Sequence, residues 1–359
     1  MQIKKKLNIF DNVYIIFLLT VLIINIILTS PVNAISFKIT DLEVTEPFEL
    51  NFNKNKVINE GFKKAFIELV SILTISEDKN KIKNTSISVI KTLIDSFTIS
   101  NEKFVNNKYI ANFDVNFNKK KILIFFEKKN IFPSIPHKKK LLLIPILVDL
   151  QSDKIVLFNN NIFYDEWNRD KERYFLLNYL LPSEDLEEMS FISENSEMIE
   201  DYDFKKTINK YDLNDFIITI LYKDNNELKV LSKIQLNNFF KIDNQKFENI
   251  NLSSNESVNL VLSKLKNTYE NYWKNMNQIN TSIKLPLSVS LNSKEYKKIQ
   301  YFENSMHQID LVSSFEIFKF NNNKTYFKLI YNGTPNKFIE DIKSKNMKID
   351  TQDQIWEIK

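Results

Sequence analysis

The scarcity of glycine is the feature that most limits what this chain can fold into. Only two glycines occur in 359 residues. Gly61 lies inside a helical pattern and Gly333 lies in a turn, so neither belongs to a glycine-rich loop. Phosphate-binding loops and dinucleotide-binding folds need several glycines where the backbone approaches the phosphates. The sequence therefore excludes P-loop and Rossmann chemistry.

Cysteine is absent altogether. Its absence excludes disulfides, thiolate metal sites and a cysteine nucleophile. It also excludes attachment of a lipid through an N-terminal cysteine.

The N-terminus has the three regions of a secretory signal peptide. Lysines at positions 4 to 6 precede a 16-residue apolar run from Val13 to Leu28, and small residues ending at Ala34 follow it. A comfortable membrane span needs roughly 20 apolar residues. We therefore predict that residues 1–34 are a cleaved signal peptide and that the mature protein is periplasmic. The alternative is an uncleaved inner-membrane anchor formed by residues 13–30, which is the only arrangement that would give the protein a membrane contact.

The charge balance argues against a nucleic-acid partner. The net charge is +4, and the first 34 residues contribute +2 of it. Arg169 and Arg173 are the only arginines. Nucleic-acid binders usually show arginine clusters on a strongly basic face. We expect no nucleic-acid binding.

Hydrophobic patterns predict an α+β protein of two or three small α/β layers behind the signal peptide. We place an N-terminal α+β domain at residues 35–150, a middle α/β domain at 151–280 and a C-terminal domain at 281–359. The C-terminal domain shows the βαββαβ order of a ferredoxin-like split βαβ module. The N-terminal domain is expected to have the same order with one extra helix.

The N-terminal pattern contains one strong strand signal. Apolar residues alternate strictly with mostly polar ones from Tyr109 to Phe117, as expected for a strand with one buried face. The other predicted elements are a strand at 37–48, a helix at about 58–73, a short helix at about 86–97, a helix at 118–129 and a buried strand at 141–150.

In the middle domain we predict helices on both sides of a break at Pro182. The remaining elements are a strand at 153–158, a helix at about 204–211, a strand at 216–222, extended stretches at 228–236 and 239–250, and a long helix capped by Ser254 or Asn255 that runs to about Met276.

In the C-terminal domain, Asn292 and Glu295 have the spacing of a capping box, and Thr334-Pro335 begins a second helix. Strands are predicted at 283–291, 312–320, 325–331 and 353–358, the middle two forming a hairpin. Alternation places Phe315 and Ile317 on the face that the helices cover, and Phe318 on the other face.

Acidic residues supply the only candidate catalytic groups. Glu184, Asp185, Glu187 and Glu188 could bind a cation or act as an acid/base pair. The simpler interpretation is that Ser183 caps a helix whose first turn is acidic. If the protein is a carboxylate-dependent hydrolase, Asp185 with Glu188 or Asp165 with Glu166 are the pairs to test. We assign no catalytic, cofactor or metal residue.

Histidine and tryptophan favour structural interpretations. His137 and His307 have no partner histidine at metal-ligand spacing. Trp167 is expected to be a core residue with a hydrogen-bonded indole N–H.

Several stretches resemble a bacterial family of exported proteins, domain of unknown function 2066. They are, in chain order, EGFKKAFIELVSIL, KYIANFDVNFNKKKILIFFEKKNI, LLLIPILVDL, LLPSEDLEEM, TINKYDLNDFIITILY and FKLIYNGTPNKFIEDI. This sequence departs from the family by carrying bulkier residues at helix positions expected to be small. The resemblance implies export and an envelope location, and it transfers no catalytic residue.

The sequence therefore favours a non-enzymatic envelope protein that binds another envelope protein. Strand edges near the segment KFNNNKTYFKL, or the aromatic surface beside them, are the expected contact. A carboxylate-dependent hydrolase and a small-ligand-binding protein with an apolar cavity are the alternatives.

Overall fold

A computed structural model describes residues 37–169, 172–194, 198–237, 239–280, 283–309 and 311–359. In these residues the chain is a mixed α+β protein with ten α-helices, one 3₁₀-helix and three β-sheets. The α+β prediction is confirmed. The predicted signal peptide lies outside the described residues. No helix in the described part of the chain has the length and apolar character needed to cross a membrane.

The first sheet has three antiparallel strands in the order β1-β3-β2. Tyr109, Ala111, Phe113, Val115 and Phe117 are all buried, so the predicted alternation in β3 is confirmed. The elements are β1 (Lys38–Pro47), α1 (Lys54–Leu73), α2 (Ser76–Ile82), α3 (Ile87–Leu93), β2 (Ile94–Val105), β3 (Lys108–Phe117) and α4 (Lys119–Lys128).

Two features of this layer were not expected. The short helix predicted at about 86–97 ends at Leu93, and the next twelve residues form β2. β2 turns into β3 through Asn106 and Asn107, which both have positive φ, as a two-residue hairpin of type I′ requires. Helix α1 lies close to the sheet because Gly61 has no side chain: a Cβ there would come within 2.8 Å of the Phe113 ring.

The central sheet has six strands in the order β5-β4-β7-β8-β9, with β6 also pairing β4. Strand β4 is parallel to β6 and β7, and its residues 141–148 are all buried. The strands are β4 (Lys139–Asp149), β5 (Lys154–Val156), β6 (Leu177–Leu180), β7 (Phe216–Asp224), β8 (Glu227–Leu236) and β9 (Phe239–Phe247).

Helices cover the central sheet. The long helix α8 packs its apolar stripe on one face, and Ser254 caps it by accepting from the Ser257 N–H. The segment before Pro182, predicted as helix, contains strand β6, because its backbone pairs with residues 139–142 of β4. The helices are α5 (Ile162–Trp167), α6 (Leu186–Glu194), α7 (Lys205–Asn209) and α8 (Asn255–Met276), and a 3₁₀-helix spans Phe158–Asn160.

The C-terminal residues form the predicted ferredoxin-like module. Its sheet has the order β11-β12-β10-β14-β13, with β10 parallel to β14 and antiparallel to β12. Thr334 caps α10 with Pro335 at the first position, as predicted. The elements are β10 (Leu285–Asn292), α9 (Tyr296–Gln308), β11 (Val312–Phe320), β12 (Lys324–Tyr331), α10 (Pro335–Ser344), β13 (Ile349–Asp350) and β14 (Trp356–Ile358).

Two details of this module correct the sequence prediction. Helix α9 begins after Glu295 without a side-chain cap, because the Asn292 side chain accepts instead from the Lys294 N–H. Ile317 pairs opposite the buried Phe327, so its face was predicted correctly, but it is 47% exposed, and Phe315 rather than Ile317 packs against the core of the module.

Asparagine and aspartate take the turn positions that glycine usually occupies. Among the described residues, eleven of the twelve non-glycine positions with positive φ are Asn or Asp, and Phe158 is the exception. Their short polar side chains tolerate this region of backbone space better than other non-glycine residues. The chain therefore makes tight turns with almost no glycine.

Candidate functional site

The acidic segment at residues 184–188 forms ion pairs that connect neighbouring parts of the fold. The Asp185 carboxylate lies 2.7 Å from the Lys210 ammonium, and Glu187 lies 2.7 Å from Lys206. These pairs connect α6 to α7 and the residue that follows it. The side chain of Glu188 lies outside the described residues.

Ser183 does not cap helix α6, contrary to the prediction. The helix begins three residues later, and the Ser183 N–H and hydroxyl instead contact the Tyr211 hydroxyl at 2.8 and 3.2 Å. Residues 181–185 belong to no helix or strand, so the serine is too far from the first turn to cap it.

The second carboxylate pair does not converge. Glu166 pairs with Arg169 one helical turn later, whereas Asp165 is exposed. Neighbouring residues on a helix point about 100° apart, which separates the two carboxylates. Within the described residues, no group of three or more histidine or acidic side chains is arranged to hold a metal ion.

Trp167 is a core residue, as predicted, and its ring stacks on Tyr269 with centroids 6.2 Å apart. Its indole N–H, however, has no hydrogen-bond partner among the described residues, contrary to expectation. His137 is exposed, and its carbonyl accepts from the Trp273 indole at 2.7 Å. His307 is exposed and contacts the Phe315 ring.

A buried ion pair inside helix α8 was not predicted. Glu270 is 1% exposed, and its Oε1 accepts from the N–H groups of Leu176 and Leu177. One turn later, the Lys274 ammonium donates to the Ser71 carbonyl of α1 at 2.5 Å and lies 3.8 Å from Glu270. The pair joins α8 to both the first layer and the central sheet. A Lys four residues after a Glu in a helix usually lies on a solvated face, so burial of this pair could not be predicted from its spacing.

The open edge of the C-terminal sheet is the strongest candidate for a binding site. Strand β11 ends the sheet order, and in the described structure β12 is its only partner. The other edge of β11 therefore presents unpaired backbone N–H and C=O groups that another extended segment can bind.

Aromatic and cationic side chains lie beside this edge. We call Phe318, Lys319 and Phe320 of β11, together with Tyr326 and Lys328 of β12, the edge surface. Phe318 is 45% and Phe320 79% exposed.

The cations of the edge surface contact its rings. The Lys328 ammonium lies 5.8 Å from the Phe318 ring centroid, and the Lys319 ammonium lies 5.5 Å from that of Tyr326. In the described part of the protein, no carboxylate lies within 4.0 Å of either ammonium group, although Glu316 of β11 is the residue opposite Lys328 in the strand register. The edge surface is thus aromatic and positively charged at once.

Of the other strands that end sheets, β2 and β9 also expose phenylalanines. Strand β2 exposes Phe97 and Phe104, but these rings pack on Phe62 and on Phe48 with Tyr109. Strand β9 exposes Phe239 and Phe240 and provides a natural comparison for β11.

The fold and this surface define an α+β protein of three sheets whose C-terminal ferredoxin-like module leaves an aromatic, cationic strand edge open. No protein-family model matches the sequence, and no curated protein matches it.

Proposed function

We propose that this chain is an exported, non-enzymatic envelope protein that binds an extended segment of another envelope protein along β11. The observation that carries this proposal is the unpaired edge of β11 beside the exposed rings of Phe318 and Phe320. Addition of a strand to a sheet edge satisfies the backbone groups of both partners, and neighbouring side chains give specificity.

The chemistry of the edge surface indicates the kind of segment. Phe318 offers apolar area beside Lys319 and Lys328. Phe320, in contrast, lies opposite Thr325 and offers apolar area on the other face of the strand. A strand that alternates apolar and acidic residues complements both, because charges of opposite sign across an interface favour association. Large rings such as these are the side chains that most often dominate binding energy.

Strand β11 also has features that keep an open edge from aggregating. Its pairing with β12 is interrupted by a bulge between Ile317 and Lys319. Bulges and lysines are common devices that blunt open edges in soluble proteins. The edge is thus suited to a specific partner rather than to indiscriminate pairing.

The binding proposal is tested with random peptides of the nine-residue length of β11. Selection against the full chain should enrich peptides that alternate apolar and acidic residues. Phe320→Asp should weaken binding of the selected peptides by about tenfold or more, as expected for the loss of a large aromatic contact. Phe240→Asp on β9 is the matched control and should leave binding unchanged. Equal losses in both variants would contradict the proposal.

Export rests on the N-terminal segment and on the resemblance to the domain of unknown function 2066 family. We expect mass spectrometry of the native protein to place its N-terminus at about Ile35. A native protein that retains residues 1–34 would instead support the anchored alternative.

The hydrolase alternative predicts that loss of an acidic side chain abolishes function, whereas the binding proposal predicts no loss. Asp185→Ala and Glu188→Ala should leave complementation of a deletion strain intact, since the Asp185 carboxylate already pairs with Lys210. Loss of complementation at an unchanged amount of folded protein would favour the hydrolase.

A further inference from the structure

The outer strand of the central sheet, β9, has a free edge that is regular along its whole length. Its pairing with β8 runs through nine consecutive residues, from Phe239 to Phe247, without a bulge. In the described structure β8 is the only strand that pairs with it. Such an edge presents a row of unpaired backbone N–H and C=O groups to a further strand. It belongs to a different sheet from β11, so it is separate from the proposed site for an envelope protein.

The two faces of β9 differ in chemistry. Phe240 and Ile242 lie on the face away from α8 and are 54% and 50% exposed. Lys241 and Asp243 lie on the face toward α8, where Tyr272 contacts both. The Tyr272 hydroxyl donates to Asp243 at 2.5 Å, and the Lys241 ammonium lies 4.2 Å from the tyrosine ring centroid. Strand β9 therefore carries an apolar pair on one face and one charge of each sign on the other.

This pattern is complementary to itself. Two copies of a strand that pair antiparallel around a two-fold axis place the residue at the axis opposite its own copy, and the residues on either side exchange partners. With the axis at Ile242, each Lys241 lies opposite the Asp243 of the other copy, and the two Ile242 side chains lie opposite each other. Opposite charges and apolar side chains both stabilise a strand pair when they face each other in this way.

Other positions of the axis are less favourable. An axis at Lys241 or at Asp243 places two like charges directly opposite each other, which destabilises a strand pair. An axis at Asn244 places the apolar Ile242 opposite Lys246. The side chains of β9 therefore favour the axis at Ile242.

A groove beside this edge offers a further contact. It lies between β9 and α8, has a volume of about 720 Å³, and is lined in part by Gln245, Phe247 and Leu260. With the axis at Ile242, Phe239 of the other copy lies opposite Gln245, on the face toward α8. A ring that is exposed in the single chain thus meets the apolar part of this groove.

We propose that a second copy of this chain is the partner of β9. The two β9 strands pair antiparallel through residues 239–245 around a two-fold axis at Ile242, which joins two six-stranded central sheets into one continuous sheet. The pairing satisfies the open backbone groups of both copies, and the ion pairs between Lys241 and Asp243 fix the register. The assembly does not depend on the proposed partner of β11.

Sedimentation equilibrium of the purified full chain tests the assembly. The parent should behave as a dimer. Lys241→Asp places two carboxylates opposite each other and Asp243→Lys places two ammonium groups opposite each other, so the dissociation constant of each variant should rise at least tenfold. The matched control is Lys229→Asp, which makes the same charge change at an exposed position of β8, inside the sheet, and should leave the dimer intact. A parent that stays monomeric at about 0.1 mM would overturn the proposal.

A mixture of the two variants tests the register. A Lys241→Asp chain paired with an Asp243→Lys chain again has opposite charges across the axis at both positions, so mixing the two variants should restore dimers. This rescue requires that both variants are folded and that these two positions face each other. Single variants that associate as strongly as the parent would overturn the pairing through β9. A mixture that stays monomeric would overturn the register at Ile242.

Discussion

At the residue scale, the buried pair in α8 governs how stability depends on pH. Burial lowers the pKa of Lys274 from 10.5 to about 8, against the opposing effect of Glu270. Burial raises the pKa of Glu270 above 4.5, against the effects of Lys274 and of the two backbone amides that bind it. Both shifts favour the neutral forms, so the ionised pair is costly in the folded state.

We compare the protein with the double variant Glu270→Gln/Lys274→Met. Relative to this variant, the free energy of unfolding should pass through a minimum between the pH at which the folded chain releases the Glu270 proton and the pH at which it releases the Lys274 proton. Above pH 4.5 the folded chain holds the Glu270 proton more tightly than the unfolded chain, so the free energy of unfolding falls as pH rises. From about pH 8 toward 10.5 the unfolded chain holds the Lys274 proton more tightly, so the free energy of unfolding rises by up to about 1.4 kcal/mol per pH unit. Urea unfolding of both proteins across pH checks this. Parallel curves would show that the pair does not titrate as described.

The same two positions should show strong coupling. Glu270→Gln or Lys274→Met alone leaves one buried charge unpaired and should cost about 3–5 kcal/mol of unfolding free energy. The double variant should cost clearly less than the sum, because no unpaired charge remains. Additive losses in denaturant unfolding would contradict the coupling.

Two buried tyrosines should respond differently to loss of the hydroxyl. The Tyr179 hydroxyl has no partner among the described residues, whereas that of Tyr269 lies 2.9 Å from Thr219 and 2.6 Å from Ser232. Tyr179→Phe should be neutral or stabilising, and Tyr269→Phe should cost about 1 kcal/mol or more. Thermal melts measure both. A comparable loss in Tyr179→Phe would show that its hydroxyl is satisfied.

At the element scale, strand β11 shows how far alternation predicts burial. Ile317 lies opposite Phe327 but is half exposed, whereas Phe327 is fully buried. Alternation gives the face of a strand, and the length of the covering helices decides which residues on that face are buried. The face on which a residue lies can be derived from the sequence, whereas the extent of helix coverage cannot.

We therefore expect Ile317→Asp to cost less than about 1 kcal/mol, because its charge stays in water, as is usual for surface positions. Phe327→Asp should cost more than about 3 kcal/mol, since it removes a buried ring and buries a charge. Thermal unfolding of the two variants tests this. Equal losses would mean that β11 is covered in solution.

Other elements were predicted well where they have a continuous buried face and were missed where they have few buried residues. Strand β3 and helix α8 have complete apolar stripes and were predicted well. Strand β2 was missed because it is an edge strand with almost no buried residue, so it carries no period-two signal. Strand β6 was missed because four residues are held by pairing with β4, a contact about 40 residues earlier in the chain that no local pattern encodes.

At the scale of the whole molecule, the order βαββαβ occurs in both the N-terminal layer and the C-terminal module, but the sheet pairing differs. The N-terminal layer has two extra helices, α2 and α3, one more than predicted, and the C-terminal module has the extra strand β13. In the C-terminal module the last strand, β14, pairs with the first, β10. The corresponding strand β4 instead joins the central sheet, which leaves β1 at an edge. The order of elements predicts the type of module, but pairing between distant strands determines which sheet a strand joins.

Arg173 occupies the edge that β4 leaves open. Its guanidinium donates to the carbonyls of Thr40 and Asp41 in β1 and pairs with Glu68 of α1 at 3.3 Å. One side chain thus blunts the edge of the first sheet, whereas β11 has no comparable cover in the described structure. This contrast favours β11 over β1 as the proposed binding edge. The sequence suggested the region through its lysines and aromatic residues, but not the contrast between edges.

Hydrogen exchange of the full chain with a selected nine-residue peptide tests whether β11 is the binding edge. Bound peptide should slow exchange at the outward-facing amides of β11, with no change in β2 or β9. Protection confined to β2 or β9, with β11 unchanged, would contradict the claim that β11 is the binding edge.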